Sequence, residues 1–216
     1  MNNKLPIELL LFDFDGTITN SLPSAVKAIQ KMLKEFNFPP KSTAEINEHI
    51  GFGETALVSG SIGSGDPATI EKAKEAYFHH VKDLAGEVEV FPHVREILEY
   101  FKSKRKAILS NKRDALIHHI LKLHGLDHYF SAVYGGDTSP CLKPDPCVSN
   151  QIIKTYQIDK ENVLLVGDMT IDVETGKNAG IRTCAVTYGF DDKAKLAAAK
   201  PDLLIDDLLE LKELII

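Results

Sequence analysis

Four consecutive apolar residues, Leu9-Leu10-Leu11-Phe12, run directly into Asp13-Phe14-Asp15-Gly16-Thr17. A strand without polar alternation needs cover on both faces, which is the condition of a parallel sheet flanked by helices. In open sheets of that kind ligands bind beyond the carboxyl ends of the strands, so two acids placed there face a crevice. Asp13 and Asp15 point the same way if strand geometry persists that far. Asp and Gly are also ordinary turn residues, so the weight of the motif rests on what accompanies it.

Strand signals recur at residues 7–12, 106–110, 132–135, 162–166 and 182–187, with a short one at 202–205. Helical patterns fill most gaps, at 94–101, 113–123, 147–156 and 171–179. This alternation predicts an α/β fold, a Rossmann-like parallel sheet with helices on both faces. Residues 20–87 break the rule and read as helix after helix. Ser21-Leu22-Pro23-Ser24 offers a start, residues 25–36 carry apolar side chains at helical spacing, Pro39-Pro40 stops the run, and a second helix is expected over 67–84. The chain therefore divides into a core of 1–19 and 88–216 and a helical insertion of 20–87, with crossings near 19–22 and 86–91.

Composition narrows the partners. Lys and Arg total 25 against 31 Asp and Glu, a formal charge of −6, so no basic field exists for a nucleic acid backbone. No apolar run approaches the length of a membrane span. A soluble, cytoplasmic protein, monomeric or homodimeric, is the expectation. Cys141, Cys147 and Cys184 are odd in number and lack metal-ligand spacing, which predicts free thiols in a reducing compartment.

Three further polar elements follow apolar stretches or sit in loops, in a fixed order: Ile108-Leu109-Ser110-Asn111-Lys112, then Lys143-Pro144, then Val163-Leu164-Leu165-Val166-Gly167-Asp168 with Asp172 four residues on. Taken singly, Ser110 or Asn111 could be a helix N-cap, Lys143 a solvated loop lysine, and Gly167-Asp168 a strand-to-helix turn. As an ordered set with Asp13-x-Asp15-Gly16-Thr17, they resemble the haloacid dehalogenase (HAD) superfamily of aspartyl-nucleophile phosphotransferases, most closely its phosphoglycolate-phosphatase-like branch. The resemblance spans residues 9 to about 189.

That resemblance implies Mg²⁺-dependent hydrolysis of a small phosphate monoester, phosphoglycolate-like, through an aspartyl-phosphate. Asp13 would be the nucleophile and Asp15 the acid that becomes the base. Thr17, Ser110, Asn111 and Lys143 would bind substrate. The ion would lie on the Asp13 carboxylate, the Asp15 carbonyl and Asp168, with Asp172 in support. Every proposed ligand is a hard oxygen, as Mg²⁺ requires. Four carboxylates against one lysine and one Mg²⁺ also predict that one carboxyl keeps its proton, with Asp15 the natural holder.

The insertion would be the family's cap domain, and Gly51-Phe52-Gly53 within it resembles the substrate-specificity loop. Its glycines would let backbone approach a ligand, although a plain interhelical turn explains them nearly as well. A phosphomutase of the β-phosphoglucomutase type and a pyrophosphatase remain open alternatives. Asn20, where relatives often carry an acid, and His93, where glycine is frequent, depart from the branch pattern; both lie near the crossings.

Overall fold

The structure is a computed structural model and describes residues 4–63 and 65–216. Eight strands occur among them, in chain order β1 (Leu9–Phe12), β2 (Thr19–Asn20), β3 (Glu89–Val90), β4 (Arg105–Leu109), β5 (Ala132–Tyr134), β6 (Val163–Gly167), β7 (Arg182–Val186) and β8 (Leu203–Ile205). Six form one sheet in the order β5-β4-β1-β6-β7-β8, parallel throughout. β1 sits in the middle, where the strand order reverses, and its Phe12 is in register with Ile108 of β4 and Val166 of β6. That is the topological switch point at which such sheets bind ligands. It brings Asp13, Ser110 and Asp168 together, each one residue beyond the end of its strand.

The unbroken apolar character of β1 is explained by burial on two sides. Leu10 and Phe12 pack in one cluster with Ile108, Leu164 and Val166, while Leu9 and Leu11 pack in another with Ala107, Leu109 and Leu165. All four β1 side chains are fully buried, each worth about 2 kcal/mol in transfer from water. A charge at any of them has no wet face to turn to.

The helices between β2 and β3 are α1 (Leu22–Glu35), α2 (Thr43–Asn47), α3 (Glu54–Ile62) and α4 (Pro67–Asp83). α1 begins beside Pro23, whose missing N–H costs nothing in a first turn. Its apolar residues at helical spacing, among them Val26, Ile29, Met32 and Leu33, are buried and pack against α4 in a cluster of their own. Asp66 caps α4, its carboxylate accepting from the Thr69 N–H at 2.8 Å.

The two crossings are paired with each other. Thr19 and Asn20 of β2 lie antiparallel to Val90 and Glu89 of β3, a ribbon that two-residue stretches could not announce in the sequence. Nearby, His93 adopts φ 63, the left-handed region that glycine enters without cost, and its ring bonds the Asp207 carboxylate at 2.7 Å. The departure from glycine at this position is thus accommodated by a side-chain anchor.

After β3 come α5 (Val94–Tyr100), α6 (Asp114–Leu123), α7 (Cys147–Tyr156) and α8 (Thr170–Ala179), close to their expected spans. The expected free thiols are a correction. Cys141 and Cys147 form a disulfide, and Cys184 alone is free and buried. The chain turns back between them, so that their Cα atoms are 6.4 Å apart, a return that spacing alone does not reveal. No helix of the described residues is long and apolar enough to cross a membrane.

Candidate active site

The turn after β1 is built around Phe14. Its carbonyl accepts from the N–H groups of Ile18 and Thr19, and its own N–H donates to Asp13 Oδ1 at 2.7 Å. Gly16 makes the turn possible, with φ 84, and a Cβ there would strike the Asp168 carboxylate. Gly167 and Gly189 leave the same kind of clearance for Asp172 and Asp168. These three positions need glycine because carboxylates crowd them.

Lys143 is fully enclosed, and its ammonium lies 2.9 Å from Asp13 Oδ1 and 2.6 Å from Asp172 Oδ1. A loop lysine that local pattern would leave in solvent is here the counter-ion of two buried acids. Burial works against its charge, yet Asp13 and Asp172 outweigh it and hold the Lys143 pKa above the usual lysine value. Asp172 is fixed from the other side, its Oδ2 accepting from the Met169 N–H at 3.0 Å.

Asp168 is wholly buried. Its Oδ1 accepts from the Thr17 hydroxyl and its Oδ2 from the Phe190 N–H, both at 2.8 Å. Oxygens of Asp13, Asp168 and Asp172 all lie within 4.8 Å of one another. Three carboxylates against one ammonium leave this cluster with an excess of negative charge. Accordingly burial, countered in part by Lys143, raises Asp13 to about 6, and burial with the neighbouring Asp13 and Asp172 pushes Asp168 well above the ordinary carboxylate range. Burial and the excess of negative charge thus favour the protonated forms of Asp13 and Asp168 as long as no cation neutralises the cluster. A divalent cation would remove the conflict, and the donors are the hard oxygens that such an ion takes.

Asp15 stands nearer the opening. It accepts from the Ser21 hydroxyl at 2.5 Å and pairs with Lys112 Nζ at 3.0 Å. Neither partner was singled out by motif reasoning. Lys112 directly follows Ser110-Asn111 in the same element, and a lysine just past a strand end was the available signal.

Ser110, Asn111 and Lys143 line one cleft with Asp13 and Asp15. Asn111 is not the N-cap of α6, as expected; that position is Arg113. The Asn111 amide is spent on positioning instead. Its Oδ1 accepts from the Lys143 N–H at 2.8 Å, and its Nδ2 donates to the carbonyls of Lys143 at 3.1 Å and Gly51 at 2.9 Å.

Gly51 and Gly53, with φ 89 and 92, line the helical side of the cleft together with Ile50, Leu57 and Tyr77. Phe52, between them, is 49% exposed and is not part of the wall. Thr17 too lies outside it, buried and bonded to Asp168. Both residues are expected to bind substrate; in this structure Thr17 props an acid and Phe52 projects from between two glycines of the cleft wall. Across the mouth, Arg113 reaches the helical segment at Glu54 (2.6 Å), Glu75 (3.1 Å) and the Phe78 ring (4.2 Å to its centroid). Burial pushes the Glu54 carboxyl up, against the pull of Arg113.

A sequence profile of haloacid dehalogenase-like hydrolases matches residues 10–186, from β1 through the end of β7. The chain belongs to that family. Among its HAD relatives, phosphoglycolate phosphatase 1 of Pseudomonas aeruginosa is 35% identical over 96% of this chain and 79% of its own length. The phosphoglycolate phosphatase of Vibrio cholerae is 31% identical over 97% of both chains. The fold agrees. A protein from Haemophilus somnus described as a predicted phosphoglycolate phosphatase superposes with a TM-score of 0.90 at 28% identity, over 96% of this chain and 97% of that one. A haloacid dehalogenase-like family hydrolase from Streptococcus pneumoniae gives 0.83 at 26% identity, over 95% and 97%.

Proposed function

We propose that this HAD hydrolase is a Mg²⁺-dependent phosphatase of a small phosphorylated metabolite, with 2-phosphoglycolate the first candidate, and that it works through an aspartyl-phosphate on Asp13. The observation that carries the reading is the Lys143 bridge between Asp13 and Asp172, set beside Asp168 and Ser110 at the ends of three adjoining strands. The names of the P. aeruginosa and V. cholerae relatives support the substrate class.

Phosphoryl transfer needs an aligned nucleophile, a proton for the leaving oxygen and positive charge around the phosphorus oxygens. Phe14 N–H and Lys143 both hold Asp13 Oδ1, which leaves Oδ2 to attack phosphorus in line. Lys143 and the Ser110 hydroxyl then face the equatorial oxygens. As the P–O ester bond breaks, the departing oxygen takes a proton from Asp15, whose position is fixed by Ser21 and Lys112. Asp15 next removes a proton from water as that water attacks phospho-Asp13, releasing phosphate and restoring the carboxylate.

The Asp13 and Asp168 carboxylates and the Asp15 carbonyl would hold Mg²⁺, with Asp172 beside them. When bound, the ion supplies charge neutralisation for the approaching phosphate dianion. The helical segment 20–87 acts as a cap over the cleft, and its wall of Ile50, Leu57 and Tyr77 meets the leaving group. A screen of phosphate esters, 2-phosphoglycolate included, should release inorganic phosphate with Mg²⁺ and none with EDTA. Phosphate release without a sugar bisphosphate activator separates this hydrolase from a mutase, and pyrophosphate belongs in the same screen.

A further inference from the structure

We propose that the Cys141–Cys147 disulfide is a thiol-exchange site that takes a dithiol reductant and thereby controls how firmly Lys143 is held. The proposal rests on the reading of Lys143 as part of the phosphatase site. It goes beyond that reading in assigning chemistry to two cysteines the reaction does not use.

The two cysteines are six residues apart and bracket Lys143. Cys147 is the first residue of α7, so the bond ties the loop that delivers Lys143 to the start of a packed helix. Val148 and Ile152 of that helix are buried against the sheet, and they anchor the tether at one end. At the other end the loop is held by the Asn111 amide, which grips both the N–H and the carbonyl of Lys143. Without the bond, the loop is left to non-covalent ties: the Asn111 grip, the Lys143 ion pairs and the Asn178 amide, which donates to the Pro144 carbonyl at 3.0 Å. Removing a covalent closure returns conformational freedom to the segment it closed.

Both cysteines are partly exposed, whereas Cys184 is buried on β7, where burial pushes its thiol far up. A reductant therefore meets the bracketing pair and not the third cysteine. In the exchange, a thiolate of the reductant attacks one sulfur, the S–S bond breaks, and the other sulfur leaves as a thiolate that takes a proton. The second thiol of the reductant resolves the mixed disulfide. The protein gains two electrons and two protons, and the reductant leaves as its own disulfide. With the bond formed, Cys141, Cys147 and the intervening Asp145 already place three potential ligand atoms within 4.8 Å of one another, so a soft cation is the occupant that competes for the two thiols once they are released and that a test must separate.

The test compares full-length protein equilibrated in excess oxidised glutathione with protein equilibrated in dithiothreitol, the small reagents then removed. Thiol titration after unfolding should count one cysteine in the first sample and three in the second. With p-nitrophenyl phosphate and Mg²⁺, kcat should fall at least fivefold on reduction while KM stays within twofold. Hydrogen exchange at the Lys143 amide, now bonded to Asn111 Oδ1, should accelerate at least tenfold. Both responses should vanish in the Cys141→Ser/Cys147→Ser protein, which should behave like the reduced form. Three thiols in the glutathione-treated sample would overturn the proposal, as would equal kcat and equal exchange in the two states. So would an effect of reduction that appears only with Zn²⁺ bound. If neither sample hydrolyses any ester but exchange still differs, the phosphatase reading falls while the thiol site stands.

Discussion

Lys143 Nζ lies 2.6 Å from Asp172 Oδ1, and both side chains are 2% exposed, although the two residues belong to a loop and a helix 29 positions apart. Asp13 shares the same ammonium, so one lysine balances two buried carboxylates. Replacing Lys143 with Met keeps the volume and removes the charge. Loss of one partner from a buried ion pair costs about 3–5 kcal/mol, and urea denaturation should show a loss of that order. Turnover should fall by at least ~10²-fold, since one preorganised donor of this kind is worth about 10²–10³ in rate. A Lys143→Met protein with wild-type kcat would remove the bridge from the mechanism.

Asp13→Asn separates chemistry from stability. It deletes the proposed nucleophile while relieving repulsion among three crowded acids. Phosphate release should drop to background, yet the metal-free protein should melt at or above the wild-type temperature. Activity that survives at more than about one part in a hundred would place the nucleophile elsewhere.

The Asp13 pKa gives a pH dependence of definite sign. Its folded value of about 6 stands above the unfolded 3.8, so between those pH values the folded protein binds more protons than the unfolded chain. Stability from this group is therefore greatest below pH 4 and is lost as pH rises through 6, a loss on the order of a few kcal/mol. Asp168 acts in the same direction. Measured without metal, the wild type should lose stability from pH 4.5 to 7 relative to Asp13→Asn, whose remaining carboxylates supply the common background. Added Mg²⁺ should flatten the difference, because the ion favours the ionised acids.

Removal of metal is a separate test. A ligand present at a hundred times its Kd stabilises the folded state by about 2.7 kcal/mol. Mg²⁺ should therefore raise the melting temperature of the wild type and leave that of Asp168→Ala unmoved. Equal shifts in both proteins would show that the ion binds outside the Asp13–Asp168–Asp172 cluster.

Arg113 joins the sheet body to the helices above the cleft. Arg113→Ala strands the half-buried Glu54 carboxylate, whose Oε1 is buried without a hydrogen-bond partner among the described residues. A lost charge-assisted contact of this type costs about 2 kcal/mol. Steady-state kinetics should show KM raised at least tenfold with kcat within threefold, the signature of a cleft that no longer closes well over its substrate. A change confined to kcat would instead put Arg113 at the reacting atoms.

Asp13, Asp168 and Ser110 were legible because each follows an apolar strand, and parallel strands deliver their carboxyl ends to one edge. Two-sided burial of β1 and helical spacing in α1 were likewise written locally. The Lys112–Asp15 pair, the Arg113 bridge to Glu54 and Glu75, and the Asn111 grip on Lys143 were not. They join residues 32 to 97 positions apart, and a contact across such distances leaves no periodic imprint on either partner. The Thr17 hydroxyl bond to Asp168 was not legible either; a motif preserves residue types without saying which way each one turns. The Cys141–Cys147 bond was hidden for a related reason, since only the fold of the Lys143 loop brings the two sulfurs together.

The pairing of Thr19 and Asn20 with Val90 and Glu89 means that the helical segment departs and returns through a single narrow stalk. Those two rungs hold the outgoing and returning strands in one register, so neither can slip along the sheet edge without the other.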